Sequence, residues 1–97
     1  MIKAHAISTD RTDWRVATHY RLSEPFMAPT WITGVEDTVD VPTVDVVVSA
    51  VRHVYAHEAL VFRAYPDGTI ADYTEITGLR ETMDHGEVLA LMGCVIV

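Results

Sequence analysis

Residues 58–76, EALVFRAYPDGTIADYTEI, decide how this chain is read. Two apolar-rich runs flank Pro66, Asp67 and Gly68. Proline presets φ for the first corner of a turn, aspartate hydrogen-bonds nearby backbone, and glycine takes a positive φ without steric cost. Apolar runs around such a turn signal a β-hairpin. The spacing predicts a three-residue loop ending in a glycine bulge, with Tyr65 opposite Thr69. Carried outward, that register pairs Ala64–Ile70, Phe62–Asp72, Leu60–Thr74 and Glu58–Ile76 on one face. Arg63–Ala71, Val61–Tyr73 and Ala59–Glu75 fall on the other. Leu60, Phe62, Ala64 and Ile70 are expected to face the core, leaving Val61, Tyr65 and Tyr73 as a patch on the second face. Neither face is cleanly polar, so both are expected to be at least partly covered.

Upstream, residues 44–57 read VDVVVSAVRHVYAH. A helix would align Val44, Val47, Val48, Val51, Val54 and Tyr55 in one stripe. A strand suits the valines better, because β-branched side chains lose freedom in helices and pack well in sheets. Three consecutive valines fit a central strand buried on both faces, and a strand over 44–52 is expected. Residues 13–22 alternate strictly, with Trp14, Val16, Thr18, Tyr20 and Leu22 on one side. Asp13, Arg15, Ala17, His19 and Arg21 lie on the other, which predicts a half-buried strand with one wet face, ended by Ser23-Glu24-Pro25. Residues 2–8 form a weaker strand, followed by a polar turn at 8–13.

Between these strands, residues 25–43 carry Pro25, Pro29, Gly34 and Pro42, which break any long element. A long loop is expected there. Its large apolar residues, Phe26, Met27, Trp31 and Ile32, either lid the core or form an exposed anchor patch for a partner. Glu36, Asp37 and Asp40, with Asp45 beyond, make an acidic rim to that patch or a solvated loop. After the hairpin, Thr77-Gly78 interrupts the chain. Asp84 and Glu87 have the spacing of a capping box, Val88, Leu89, Leu91 and Met92 supply an apolar side, and Gly93 stops the helix, predicted over 84–92. The apolar run Cys94–Val97 is expected to dock as a last strand beside 44–52, or to pair across a dimer edge. The whole reads as one α+β domain over 1–97: a small, mostly antiparallel sheet of four or five strands, a central 58–76 hairpin and one short C-terminal helix.

Ninety-seven residues bury roughly 60–70% of the unfolded chain's surface, enough for one modest core. Hydrophobic residues make up 49%, which excludes a disordered chain. The longest apolar runs, VVVSAV and LALMGCVIV, fall well short of the about 18 residues of a membrane helix. MIKAHAISTD lacks the apolar core of a secretory signal, so a cytoplasmic protein is expected. The lone cysteine, Cys94, forms no internal disulfide and reads as a buried structural thiol. The net charge of −7 is uneven: residues 1–22 carry +2, 23–58 carry −5 and 59–97 carry −4. Such an acidic chain repels phosphate backbones, so no direct nucleic-acid contact is expected.

Motifs for chemistry are sparse. His53 and His57 would share a helix face and could chelate a metal with His85 or Glu58; on a strand they stand about 13 Å apart, too far for one ion. There is no GxSxG elbow and no glycine-rich phosphate loop. No enzyme activity and no cofactor are therefore expected.

VVVSAV at 46–51, EALVFRAYPDGTIADYTEITG at 58–78 and DHGEVLALMG at 84–93 together resemble the C-terminal part of small uncharacterised proteins encoded by bacteriophages of actinobacteria. The resemblance spans about residues 46–93 and rests on structural motifs. It implies a small protein that binds a host protein in the host cytoplasm, and it carries over no functional residues.

The expectation is a small acidic cytoplasmic protein-interaction protein, phage-encoded, that binds a host protein or itself, as a homodimer in the second case. Its candidate interface is Phe26, Met27, Trp31, Ile32, Tyr65 and Tyr73, and its candidate acidic surface Glu36, Asp37, Asp40 and Asp45. The alternatives are an acidic nucleic-acid mimic acting on a host DNA-binding factor and a small metal-dependent enzyme. No membrane partner is expected.

Overall fold

The computed structural model describes residues 1–31, 37–54 and 56–97, with Trp31 by its backbone alone. The chain is mostly β. Its strands are β1 (Ile2–Arg11), β2 (Arg15–Trp31), β3 (Thr38–Arg52), β4 (His57–Arg63), β5 (Thr77–Arg80) and β6 (Cys94–Ile96), with α1 (His85–Ala90) before the last. They form one sheet in the order β5-β4-β3-β2-β1-β6. Every neighbouring pair is antiparallel except β1 with β6. The sheet thus has six strands, more than the four or five expected, and one parallel pairing.

The valine run behaves as its chemistry demands. Val46, Val47, Val48 and Ala50 are buried at the centre of β3, which pairs with β2 on one side and β4 on the other. Those two partners leave no free edge, which is why Cys94–Ile96 docks against Ile2–Ala4 and not beside 44–52. Alternation along β2 also holds on its core side, where Thr18, Tyr20 and Leu22 are buried. Trp14 falls in the turn before β2 and is exposed. The opposite face is not wet: Ala17 and His19 are buried as well.

Residues 25–43 depart most from expectation. The section from Phe26 to Trp31 pairs in register with Thr38 to Thr43, so these parts of the expected loop form a two-stranded ribbon. β1 pairs with β2 only as far as Leu22, and β4 with β3 only from Val46 onward. Among the described residues each arm of the ribbon therefore has an outer edge without a paired strand, where Pro29 and Pro42 cost no ladder hydrogen bond. Ser23-Glu24-Pro25 does not end β2 but bulges from it, where the register shifts between Arg21 and Phe26. The Ser23 hydroxyl accepts a hydrogen bond from the Lys3 N–H at 2.8 Å. β1 likewise runs past its expected end to Arg11, with a bulge between Ala6 and Ser8.

The core lies on one face of the sheet, beneath α1. Tyr20, Leu22, Val46, Val48 and Val61 pack there against Val88, Leu89 and Met92. Ala4, Ala50 and Ala59, each fully buried, leave room for the helix to sit close. α1 touches β4, β5 and β6, strands from both ends of the sheet, so the sheet curls around it. Asp84 caps the helix as expected, accepting from the N–H groups of Gly86 and Glu87 at 2.8 and 3.2 Å. The return half of a capping box is replaced: the Asp84 N–H donates to Thr82 Oγ1 at 3.1 Å. The helix is shorter than 84–92, ending at Ala90 with a turn that Gly93 closes at φ 75°.

The hairpin turn forms as its residues dictate, with Tyr65 N–H on Thr69 O at 2.8 Å and Gly68 at φ 89°. Ala64 bridges Ile70, and the Ala71 N–H reaches Arg63 O at 2.9 Å. Beyond that the register slips by four residues: Val61 pairs with Thr77 rather than Tyr73, and residues 72–75 loop out. The expected facing is also inverted. Ala59 and Val61 point into the core, while Leu60 and Phe62 are half-buried opposite Ser49 and Val47 on the second face. On β4, which α1 packs against, the core face is taken by the small Ala59 and the β-branched Val61.

Candidate functional site

The second face of the sheet is covered by the returning hairpin. Asp67 stiffens its tip, accepting from both the N–H and the hydroxyl of Thr69 at 2.9 and 2.6 Å. Those two donors hold the exposed Asp67 carboxyl below its ordinary pKa. Arg21 ties the tip to the sheet, donating from Nη2 to Pro66 O at 3.2 Å and from Nε to Asp45 Oδ1 at 3.1 Å. Asp45 also takes the Nε2–H of His19 at 2.7 Å. Both members of this pair are buried, at 4% and 5% exposure. Gly68 lies directly over the imidazole: a Cβ placed on it would stand 3.0 Å from His19 Nδ1. Only a residue without a side chain permits that approach.

Beside this clamp a cleft of about 370 Å³ opens between the β1–β2 ladder and the hairpin. Ala17 and Val47 line it with His19, Ile70 and Gly68 bound it, Ser8, Asp10 and Arg15 belong to its polar side, and Thr9 borders it with its hydroxyl turned to the other face. Arg15 is anchored by its Nε, which donates to the buried Ser49 hydroxyl at 2.9 Å. Thr9 and Thr18 share a hydroxyl hydrogen bond of 2.9 Å across the ladder.

A second polar node holds the far end of the hairpin to the ribbon. Arg63 donates from Nε to Thr43 Oγ1 at 3.2 Å and from Nη1 to Thr30 Oγ1 at 3.3 Å. Thr30 in turn donates to Asp72, whose other oxygen accepts the Thr74 N–H at 2.8 Å. On the core side, His85 donates from Nε2 to Val16 O at 3.2 Å and accepts the Tyr20 hydroxyl at Nδ1, 2.9 Å away. Burial lowers the pKa of His85 and raises that of Tyr20. Burial likewise raises the Cys94 thiol, which faces the core.

The residues named from sequence are scattered among these features. Tyr65 and Tyr73 are exposed, at 56% and 79%, with Tyr73 tilted against Phe62 at a ring distance of 5.9 Å. Met27 is 52% exposed, whereas Phe26 is half-buried against the core. Trp31 pairs with Thr38 through its backbone; its side chain, Ile32 and Glu36 lie outside the described residues. Asp37 and Asp40 are exposed, but Asp45 is drawn inside by His19 and Arg21, so it does not join an acidic surface. His53 and His57 stand on neither a common helix nor a common strand. The chain turns between them, with His53 N–H on Ala56 O at 2.7 Å, and the His53 ring pairs with Glu58 at 3.2 Å. Among the described residues no three His, Cys, Asp or Glu side chains converge as metal ligands. No described helix is long and apolar enough to cross a membrane.

Sequence reasoning missed His19, Arg15 and Arg63. His19 and Arg15 sit in the polar half of an alternating strand, which local periodicity assigns to solvent. One cue was available: the hairpin has no clean polar face, so whatever it covers must be buried too. No family model matches the chain, and neither a curated protein nor a solved structure is similar to it.

Proposed function

We propose that this chain is a cytoplasmic protein-interaction module without catalytic chemistry of its own, and that it recognises its partner with the outer side of the 64–76 hairpin. The observation that carries this reading is the exposure of Tyr65 and Tyr73 on a segment whose inner side is tied to the sheet. Tyrosines supply large, stiff contact area that keeps a polar tip, the chemistry favoured at protein interfaces. A segment already held in place loses less conformational freedom on binding. The net charge of −7 disfavours a phosphate backbone as partner. A host protein is the partner if the likeness of residues 46–93 to phage proteins reflects origin, and a second copy otherwise.

Capture from host lysate on immobilised protein tests the reading, with light scattering for self-association. The double variant Tyr65→Ala/Tyr73→Ala should lose the captured partner while keeping its unfolding transition. A partner retained equally by both proteins, or no partner and no self-association with the wild type, would sink the proposal.

A further inference from the structure

We infer that the cleft beside His19 is a binding site for a small zwitterion, specifically a free α-amino acid with a short aliphatic side chain. Its volume of about 370 Å³ falls at the lower end of the roughly 300–1,000 Å³ typical of ligand clefts. The cleft lies on the sheet side of the hairpin, apart from the exposed tyrosines, so the inference stands independently of the protein-binding reading.

His19 is the first observation. It is 4% exposed, and its Nε2–H is committed to Asp45, so in the neutral ring Nδ1 offers a lone pair. No group among the described residues hydrogen-bonds Nδ1. It is also not sealed off, since the only fully buried side-chain N or O without a partner among those residues is His57 Nδ1. The nitrogen therefore opens into the cleft, beside the bare Cα of Gly68. That acceptor is served by water when the cleft is empty and by a donor of the ligand when it is filled.

Two charges give the second observation. Asp10 pairs with Ala17 across the β1–β2 ladder, so it lies diagonal to Arg15 on the face that lines the cleft. No ion pair joins the two. Arg15 is held at Nε by Ser49, and its Nη groups make no hydrogen bond or ion pair with the described residues. The cleft thus presents an anion, a cation and a lone pair on one wall, with Ala17, Val47 and Ile70 as apolar surface.

An ammonium has three donors and can serve both Asp10 and His19 Nδ1. A carboxylate on the neighbouring carbon can take the planar fork of Arg15. The aliphatic side chain then rests on Val47 and Ile70. A simple anion would leave Asp10 and Nδ1 unserved, and a simple amine would leave Arg15 unserved.

L-valine titrated into the ¹⁵N-labelled protein, followed by NMR, tests the site. Saturable shifts should appear at the His19 ring, Arg15 and Gly68. N-acetyl-L-valine, which lacks the ammonium, and L-valinamide, which lacks the carboxylate, should each bind at least roughly tenfold more weakly. Arg15→Gln and Asp10→Asn should weaken L-valine binding to the same degree. The comparison of blocked ligands uses the wild-type protein, so it stands even if a variant folds poorly. No shift at the His19 ring with L-valine at tens of millimolar, or equal binding of the blocked ligands, would overturn the assignment.

Discussion

Replacing Asp45 by alanine removes the acceptor that joins β3, β2 and the hairpin tip. Three consequences follow from the geometry. His19 Nε2–H, buried in a residue 4% exposed, loses the one partner it has among the described residues, and a buried donor left unsatisfied costs about 1–3 kcal/mol. Arg21 loses its anchor too, but its side chain is 46% exposed and returns to water, so that part costs about 1 kcal/mol at most. The small void adds to the first cost. Asp45→Ala should therefore lose about 2–4 kcal/mol, which for a domain of this size lowers Tm by roughly 10–25 °C. Asp45→Asn keeps an oxygen for His19 and should lose only about 1–2 kcal/mol. Urea titrations followed by tryptophan fluorescence measure both, with the midpoint shifting at constant m. A double-mutant cycle with His19→Ala should show a coupling above about 1 kcal/mol, because neither truncation matters fully once the other is made. If Asp45→Ala sits within about 0.5 kcal/mol of wild type, the level of an ordinary surface change, the buried clamp is wrong.

Other expectations follow from single contacts. Gly68→Ala meets both a φ of 89° and the His19 ring, and should cost about 1–3 kcal/mol by thermal unfolding. Asp84→Ala strips the cap from two helix N–H groups and should cost about 1 kcal/mol by the same measurement. His85 has a folded pKa lowered mainly by burial, so the unfolded chain binds the proton first. Its contribution is complete above its unfolded value of about 6.5 and is lost as pH falls toward the lower folded value. His85→Gln should flatten the pH dependence of stability in that window, read from urea midpoints between neutral and mildly acidic pH; an unchanged slope would refute the buried placement of His85.

What the sequence made legible was local chemistry. Pro66-Asp67-Gly68 dictates its turn, valine dictates the central strand, and Asp84 with Gly93 brackets the helix. What it hid depends on partners distant in the chain. Pro29 and Pro42 read as breakers because open edges cannot be seen from neighbours in sequence. Leu60 and Phe62 read as core because they are larger than Ala59 and Val61, yet the core face has to admit α1. His19 and Asp45 read as solvated because the segment covering them lies some 20 to 50 residues further along.

The aromatic surface and the cleft both rest on one claim, that the hairpin tip folds over the second face of the sheet. A nuclear Overhauser measurement between the Gly68 α protons and the His19 β protons tests it most directly. The position a Gly68 Cβ would take is 3.4 Å from His19 Cβ, so a strong cross-peak is expected. A spectrum with no contact between Gly68 and His19, and with the α protons of residues 72–75 opposite Phe62 to Ala59 in an uninterrupted ladder, would contradict it.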